Sequence, residues 1–275
     1  GVDELDLIVS VLGNLFLVTG ASIVALLQLY MVVREKQVRL LGALRAMGVF
    51  DSSHWLSWFL AFAAPTILAG CLAAAVSQVT DVIVFTSVDA LVHIVLLTAL
   101  SLAFSSVSIL LASLTTQPRW VNAGAFMFFA ITFVVQALLT ISNSFTLPYE
   151  PDASTAVASL LFLMPGFHYG SAILGLVAQV MLKIQEDPDT TPSVDWADAA
   201  LRRNASNPEY EPLAINAVPS VVEHIGYMFS LSAIYLVLAW YFGQISTDDL
   251  GVSQPFWFPF IPEYWGFERE APVTE

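Results

Sequence analysis

The chain alternates long uncharged stretches with short polar segments, and this alternation predicts membrane-spanning helices. The uncharged stretches are Leu7–Val33, Ser52–Thr80, Ala90–Pro118, Trp120–Tyr149, Ala153–Leu182 and His224–Thr247. About 20 apolar residues in helical form cross the roughly 30 Å hydrocarbon core of a bilayer, so each stretch is long enough to span it. We place five full spans, at about 7–33, 53–80, 88–115, 120–147 and 220–246. The predicted fold class is all-α, a polytopic membrane helical bundle.

Composition agrees with this prediction and excludes other classes. Hydrophobic residues make up 57% of the chain, charged residues 12%, and the mean hydropathy is +0.75, values that soluble domains of this length do not reach. The net charge is −14 and no basic stripe exists to meet phosphates, so we expect no nucleic-acid partner. The chain begins with Gly1 and not with Met, and we expect it to lie within a larger protein.

Basic residues set the orientation in the membrane. Four of the nine lie between the first two stretches: Arg34, Lys36, Arg39 and Arg45. The positive-inside rule places this segment in the cytoplasm. The loop 80–89, which carries Asp81 and Asp89 and no base, is then outside, Arg119 is inside, and the acidic segment 149–152 is outside. The alternation is self-consistent through the first four spans.

The fifth stretch allows two topologies. If it crosses the membrane, the polar segment after it is cytoplasmic; if it forms a re-entrant hairpin over 153–182, the loop 183–218 is exofacial. Pro165-Gly166, Gly170 and Gly175 favour a broken hairpin, and the loop is acidic and carries a glycosylation sequon at Asn204. Arg202-Arg203 beside the sequon favours the crossing. We prefer five crossings plus an exofacial hairpin, followed by a last span opened by a capping box, Ser220 to Glu223.

The cytoplasmic segment 33–51 is amphipathic. At 100° per residue one face is apolar: Val33, Leu40, Leu41, Leu44 and Met47. The opposite face carries most of the charges. The pattern predicts one interfacial helix that Gly48 closes. Such a helix is either a plain membrane anchor or a lever that transmits force from a cytoplasmic domain, and the pattern alone does not separate the two.

Signatures of catalysis and of cofactor binding are missing from the sequence. It contains no Gly-x-x-x-x-Gly-Lys-Ser/Thr loop for nucleotide phosphates, no Gly-x-Ser-x-Gly and no His-Glu-x-x-His. Its histidines lie in different segments and not at ligand spacing: His54, His93, His168 and His224. We expect His93, within a predicted span, to face protein or a wet cavity. No catalytic, metal or cofactor site is predicted within this chain.

Two separated motifs resemble a known family. Near the start are Glu35-Lys36, Leu44-Arg45-Ala46-Met47-Gly48 and Trp55-Leu56-Ser57-Trp58-Phe59; near the end are Gln254-Pro255-Phe256-Trp257-Phe258-Pro259-Phe260 and Tyr264-Trp265-Gly266. Together with the spans between them, they resemble the transmembrane domain of ATP-binding cassette transporters of subfamily A. The resemblance covers essentially the whole chain.

The resemblance implies a role for each part. Residues 1–247 would be a transmembrane domain, with a coupling helix at 33–51 that touches a nucleotide-binding domain, and 248–275 a cytoplasmic linker toward that domain. The coupling residues would be Glu35, Lys36, Arg39, Arg45, Met47 and Gly48. ATP and Mg would bind in the adjoining domain, and a second transmembrane half would complete an ATP-driven lipid transporter of the plasma or endolysosomal membrane.

Some residues depart from the family pattern, and other functions stay open. Gln37 and Leu41-Gly42 stand where the family carries further charge, so polar contacts to the motor domain would differ. A secondary transporter or channel would need intramembrane acids or an inverted repeat, and the spans contain neither. A non-transporting membrane scaffold is a third reading that the sequence does not exclude.

Overall fold

The chain folds as a bundle of helices in the computed structural model. It describes residues 4–38, 40–79, 83–114, 118–142, 144–150, 152–187, 191–201, 203–204, 217–245 and 254–265. The α-helices are α1 (Glu4–Gln37), α2 (Leu40–Ala46), α3 (Asp51–Val79), α4 (Ile83–Thr86), α5 (Ala90–Leu114), α6 (Pro118–Ser142), α7 (Thr155–Phe162), α8 (Pro165–Glu186), α9 (Trp196–Ala199) and α10 (Val221–Ile245). Single 3-10 turns lie at Leu147–Tyr149, Phe258–Phe260 and Pro262–Trp265, and two-residue strands β1 (Arg203–Asn204) and β2 (Ala217–Val218) pair antiparallel. The predicted polytopic all-α bundle is confirmed.

The helix α5 forms the centre of the bundle. Helices α1, α3 and α10 pack along it, and α6 packs on α1. Within its most apolar stretch of 18 residues, 61% of the residues are buried, as expected for a helix that is apolar all round and enclosed by others. Helices α5 and α10 run parallel: Val92 and Val221 belong to one buried cluster near their starts, and further along the hydroxyls of Ser106 and Ser232 lie 2.6 Å apart. Both helices therefore begin at the same end of the bundle.

Helices α7 and α8 occupy the segment of the predicted hairpin, 153–182, whose exofacial position stays a prediction. In the described part of the chain, six helices are long and apolar enough to cross a membrane, and α8 is one of them. However, His168 in its first turn contacts His224 in the first turn of α10. Lys183 in its last turn binds the segment that follows, where Val194 pairs with Val88 just before α5.

The turn before α8 lies deeper in the bundle, since the Tyr235 hydroxyl of α10 donates a hydrogen bond to the Leu163 carbonyl and Gly166 packs against Val18 of α1. Helix α8 thus runs from inside the bundle to the end at which α5 and α10 begin, which we call the hairpin end, and it does not carry the chain across.

The glycines of this hairpin have a different role from the predicted one. The helix break falls at Leu163 and Met164, and α8 then runs without interruption through Gly166, Gly170 and Gly175. A Cβ atom on Gly170 would lie 2.2 Å from Phe145 Cε1. The break thus lies directly before Pro165-Gly166, as predicted, but the prediction that Gly170 and Gly175 interrupt the stretch is wrong, because α8 continues through both. Gly166 and Gly170 are positions of close packing, since a Cβ atom on Gly166 would lie 3.0 Å from Val18 Cγ1.

The segment 33–51 is not one helix, which corrects the predicted boundaries. Its first turn belongs to α1, which continues to Gln37, and α2 begins separately at Leu40. The reason is packing: Val33 is buried in the bundle, whereas Met47 is 71% exposed, so the predicted apolar face does not lie on one surface. We call this region, where α1 and α5 end and α3 begins, the α2 end.

The fourth span also ends earlier than predicted. Helix α6 ends at Ser142, and the chain turns so that Phe145 is buried against α8. The prediction extended the span to 147 because residues 143–147 carry no charge. Uncharged residues do not by themselves continue a helix where an aromatic side chain packs into the protein.

Candidate functional site

Glu35 joins the end of α1 to the beginning of α3. Trp58 Nε1 donates a hydrogen bond of 2.7 Å to Glu35 Oε2, and His54 Nε2 lies 3.8 Å from the same oxygen. Trp58 and His54 are one helical turn apart, so both reach the same carboxylate from one face of α3. Hydrogen bonds to a carboxylate are stronger than those between neutral groups. The Trp58–Glu35 hydrogen bond therefore stabilises the packing of α3 against α1.

Lys36 joins the same turn of α1 to the last turn of α5. Its Nζ atom donates a hydrogen bond to the carbonyl of Ala112. The final carbonyls of a helix carry partial negative charge and no intrahelical partner, so an ammonium group there is stabilised. Glu35 and Lys36, adjacent in sequence, thus connect α1 to two different helices, and a displacement of this turn would reach both.

Gly48 ends α2, as the sequence predicts. Its φ is +86°, in the left-handed region that favours glycine, and the N–H of Val49 donates a hydrogen bond of 3.0 Å to the carbonyl of Leu44. This six-residue closure is the Schellman motif. It leaves apolar side chains in the open, with Met47 71% and Phe50 76% exposed. The α2 end therefore presents apolar surface beside its polar contacts.

The remaining predicted site residues are only partly described. Arg39 lies outside the described residues, and so does the side chain of Arg45, although the backbone of Arg45 forms part of α2. Asn204 lies in β1, paired with Ala217, with its side chain outside the described part. The coupling roles and the glycosylation stay predictions.

The aromatic segment that follows α10 folds back onto the end of that helix. Phe258 is fully buried, and its ring packs against Trp240, Tyr241 and Tyr264, with centroids 4.8–5.7 Å apart. The Tyr241 hydroxyl donates a 2.8 Å hydrogen bond to the carbonyl of Phe256. The second motif of the resemblance is thus a packed unit at the end of the last span.

The hairpin end holds a pair of histidines that the sequence does not bring together. His168 Nε2 donates to the Phe162 carbonyl at 2.9 Å, so in the neutral ring Nδ1 is an acceptor. His224 Nδ1, 3.2 Å away, then donates to it. Burial raises the pKa of the neighbouring Tyr149, so this phenol stays neutral. The interpretation of His168 and His224 as scattered is corrected: α8 and α10 bring them into contact.

A cleft opens between α1 and α3, with α5 as its floor. It consists of two cavities of about 350 and 440 Å³ that share four lining residues: Phe16, Leu17, Ala73 and Leu97. His93 lies at one cavity, as expected of a polar group within a span, and is 4% exposed. We call this feature the α1–α3 cleft.

The sequence reasoning missed Trp58, the histidine pair and the cleft. A signal for Trp58 exists, because its spacing of four from His54 places both side chains on one face of a helix. The histidine pair depends on the packing of α8 on α10, for which the sequence holds no local signal. The sequence holds only a weak signal for the cleft, namely small residues on the two facing helices, such as Gly20 and Gly70. Among the described side chains, no group of three or more His, Cys, Asp or Glu is placed to hold a metal ion.

Three relatives found by comparison with known proteins are all named as members of ABC transporter subfamily A. The chain is 24% identical over 261 residues to ABC transporter A family member 1 of Dictyostelium discoideum, which covers 92% of this chain and 28% of that protein. It is 26% identical over 235 residues to the phospholipid-transporting ATPase ABCA7 of Homo sapiens, covering 85% of this chain and 10% of that protein. ABC transporter A family member 2 of Arabidopsis thaliana is 23% identical, over 92% of this chain and 24% of its own length.

These matches confirm the resemblance to subfamily A. The chain spans about a quarter or less of the curated relatives named above. The model of the ABC-2 family of transporter proteins matches residues 3–241, which include all six apolar helices apart from the last residues of α10. This multi-pass membrane chain belongs to the ABC-2 transporter family.

Proposed function

We propose that this chain is the membrane half of an ATP-driven lipid transporter, coupled to a nucleotide-binding domain of the same polypeptide. The observation that carries the proposal is the geometry of the last turn of α1, where Glu35 contacts α3 and Lys36 contacts α5. A force applied at this turn would reach three helices of the bundle together. ATP and Mg would bind in the adjoining domain.

The exposed apolar surface of the α2 end fits a docking partner. Val38, Met47 and Phe50 are each more than two-thirds exposed in a region that also carries charged side chains. An apolar patch with a polar rim is typical of a protein interface. The nucleotide-binding domain would cover this patch, and a second membrane half would pack beside the bundle.

Lipid fits this membrane domain better than an ion as the transported molecule. Among the described side chains, none that lines the α1–α3 cleft is charged, and an ion would need such groups or a wet polar path. One relative is itself named a phospholipid-transporting ATPase. We place the α2 end in the cytoplasm by the positive-inside rule, the hairpin end and Asn204 outside, and the protein in the plasma or endolysosomal membrane.

The direct test is ATP-dependent lipid movement by the full-length protein. Purified protein is reconstituted in liposomes that contain a fluorescent phospholipid, and the lipid moved per ATP hydrolysed is measured. We expect Glu35→Ala and Gly48→Ala to lower this ratio about fivefold or more, the range that a coupling free energy of about 1–3 kcal/mol gives.

A matched control separates coupling from general damage. Gly124→Ala makes the same change as Gly48→Ala, and neither site has atoms within 4 Å of the added Cβ, but only Gly48 has a positive φ. Gly124→Ala should therefore transport like wild type. Unchanged transport in both Glu35→Ala and Gly48→Ala would remove the coupling role. Wild-type protein that hydrolyses ATP without moving any lipid would overturn the proposed function.

A further inference from the structure

The aromatic segment, which we define as residues 254–262, lies at the depth of the last turns of α10 and not beyond them. The N–H of Gln254 donates a 3.0 Å hydrogen bond to the carbonyl of Gln244. The carbonyl of Phe256 accepts one of 2.8 Å from the Tyr241 hydroxyl. The chain therefore turns back after α10 and runs beside the helix that it has just left.

The last turns of α10 lie where the spans of the bundle end. Ala239 belongs to one buried cluster with Val33 of α1 and Ala112 of α5, both of which are close to the ends of their helices. Helix α10 has 25 residues and is about 37 Å long, more than the roughly 30 Å of a hydrocarbon core. Its last turns, and the aromatic segment beside them, are therefore at the boundary between hydrocarbon and headgroups at the α2 end.

The aromatic segment exposes its large apolar side chains at this depth. Phe258 is buried against α10, whereas Phe256, Trp257 and Phe260 have 66%, 53% and 88% of their surface exposed. No residue from 254 to 262 is charged. Tryptophan is enriched at membrane boundaries because its ring is apolar while its N–H reaches polar groups. Exposed aromatic rings in an uncharged segment beside a span are thus suited to contact with lipid.

The backbone of the aromatic segment is also suited to a poorly hydrated environment. Three of its residues are prolines, which carry no N–H: Pro255, Pro259 and Pro262. The N–H groups of Phe258, Phe260 and Ile261 donate to carbonyls within the segment at 2.8–3.0 Å. Non-helical backbone is costly near hydrocarbon because an open N–H finds no water there, and in this segment most N–H groups are absent or bonded. A surface that meets its partner from water has no such requirement.

We propose that the aromatic segment is an interfacial membrane anchor. Phe256, Trp257 and Phe260 insert into the leaflet at the α2 end, which is the cytoplasmic leaflet by the positive-inside rule, while Phe258 holds the segment to α10. The partner is the lipid surface, at the level where acyl chains meet headgroups. The chain thus leaves the last span along the membrane and not directly into water. This inference rests on the membrane-spanning fold and does not depend on ATP-driven transport.

Spin-label accessibility distinguishes lipid, water and protein around a chosen side chain. Full-length protein without its native cysteines carries one label at a time in phosphatidylcholine nanodiscs. Electron paramagnetic resonance then measures collisions with oxygen, which concentrates in lipid, and with a water-soluble nickel chelate. The test variants are Phe260→Cys and Phe256→Cys, which replace exposed side chains and so remove no buried packing. Phe126→Cys, at an exposed position within α6, is the lipid reference, and Asp152→Cys, in an exposed turn, is the water reference.

We expect the oxygen-to-nickel ratio at Phe260 and Phe256 to be several-fold higher than at Asp152 and below that at Phe126, because the position is shallow. A ratio equal to that at Asp152 would mean that the segment lies in water. Low collision rates with both reagents would mean that protein, such as the nucleotide-binding domain, covers it. Either result would overturn the inference. A label at Phe50→Cys, on the surface proposed to dock that domain, should be protected from both reagents, so a failure of the proposed docking is measured separately.

Discussion

The two ends of the bundle differ in how much surface and how many polar contacts they add to an apolar core. At the hairpin end, 67% of the residues in the most apolar stretch of α8 are buried, and glycines bring this helix into close contact with its neighbours. At the α2 end, Val32, Val33 and Ala112 belong to a second buried cluster, and the contacts between helices also include the carboxylate of Glu35 and the ammonium of Lys36. Both ends contain a buried apolar cluster, but the α2 end adds polar contacts between helix ends and leaves Met47 and Phe50 exposed.

This difference indicates which end can respond to a partner. A closely packed interior resists small displacements, because side chains already fill the available space. Polar contacts at a surface give way at a cost of a few kcal/mol, which a docked domain can supply. The hairpin end is thus suited to be the fixed part of the proposed transporter and the α2 end to be the part that moves.

The largest expected effect comes from filling the tightest contact of the hairpin end. Gly170→Ala would place a Cβ 2.2 Å from Phe145 Cε1 and 2.9 Å from Gln136 Nε2. We expect the free energy of unfolding in mixed micelles to fall by about 2–3 kcal/mol, as for overpacked interiors. Thermal unfolding of the purified full-length protein measures this loss.

The control for this prediction is Gly226→Ala, which adds the same methyl group where no atom lies within 4 Å. Alanine is the better helix former, so this variant should be as stable as wild type or more stable by up to about 1 kcal/mol. If the two variants unfolded at the same temperature, close packing would not distinguish the hairpin end.

A smaller effect is expected at the α2 end. We predict a coupling free energy of about 1.5 kcal/mol between Glu35→Ala and Trp58→Phe in a double-mutant cycle, because each substitution removes the same hydrogen bond to a charged group. Equilibrium unfolding of the four proteins gives the value.

The matched pair combines Glu35→Ala with Trp257→Phe, in the aromatic segment, where we expect the two effects to add. A coupling free energy near zero for Glu35 and Trp58 would mean that the carboxylate does not hold α3. The interpretation that polar contacts make the α2 end the responsive one would then lose its main support.

Most of the fold follows from the sequence because the membrane imposes it. Every backbone polar group in the hydrocarbon region must be satisfied within a helix, so an uncharged stretch of sufficient length is enough to place a span. Helix ends with local signals were also predictable: Gly48 ends α2, and the Ser220–Glu223 capping box opens α10 with reciprocal bonds of 2.8 and 3.2 Å.

The parts that could not be predicted depend on contacts between distant residues. The early end of α6 follows from the burial of Phe145, and the division of 33–51 follows from Val33 belonging to the bundle. In the candidate site, Glu35 and Lys36 could be chosen by family resemblance, but their partners Trp58 and Ala112 lie on other helices. Local pattern carries no distance information of that kind.

The smallest predicted effect concerns the loop that covers the hairpin end. Asp195 caps α9 by accepting hydrogen bonds from the N–H groups of Ala197 and Asp198, and these bonds, with Lys183 nearby, hold the pKa of its carboxyl below the usual 3.8. A depressed carboxyl pKa gives stability that is fully present above the ordinary pKa and is lost as the pH falls through the folded-state value. We therefore expect the cap of α9 to be constant from neutral pH to about pH 4 and to weaken only below it.

Hydrogen exchange at the amides of Ala197 and Asp198, corrected for the intrinsic pH dependence of exchange, measures the cap directly. Asp195→Asn is the informative variant, because asparagine caps a helix about as well as aspartate but does not titrate. Protection in this variant should be independent of pH over the range in which wild type loses it. If wild type lost protection already between pH 7 and pH 5, a group other than Asp195 would control this loop. The packed end of the molecule would then have a pH-sensitive cover, and it could no longer be treated as the fixed half of the comparison.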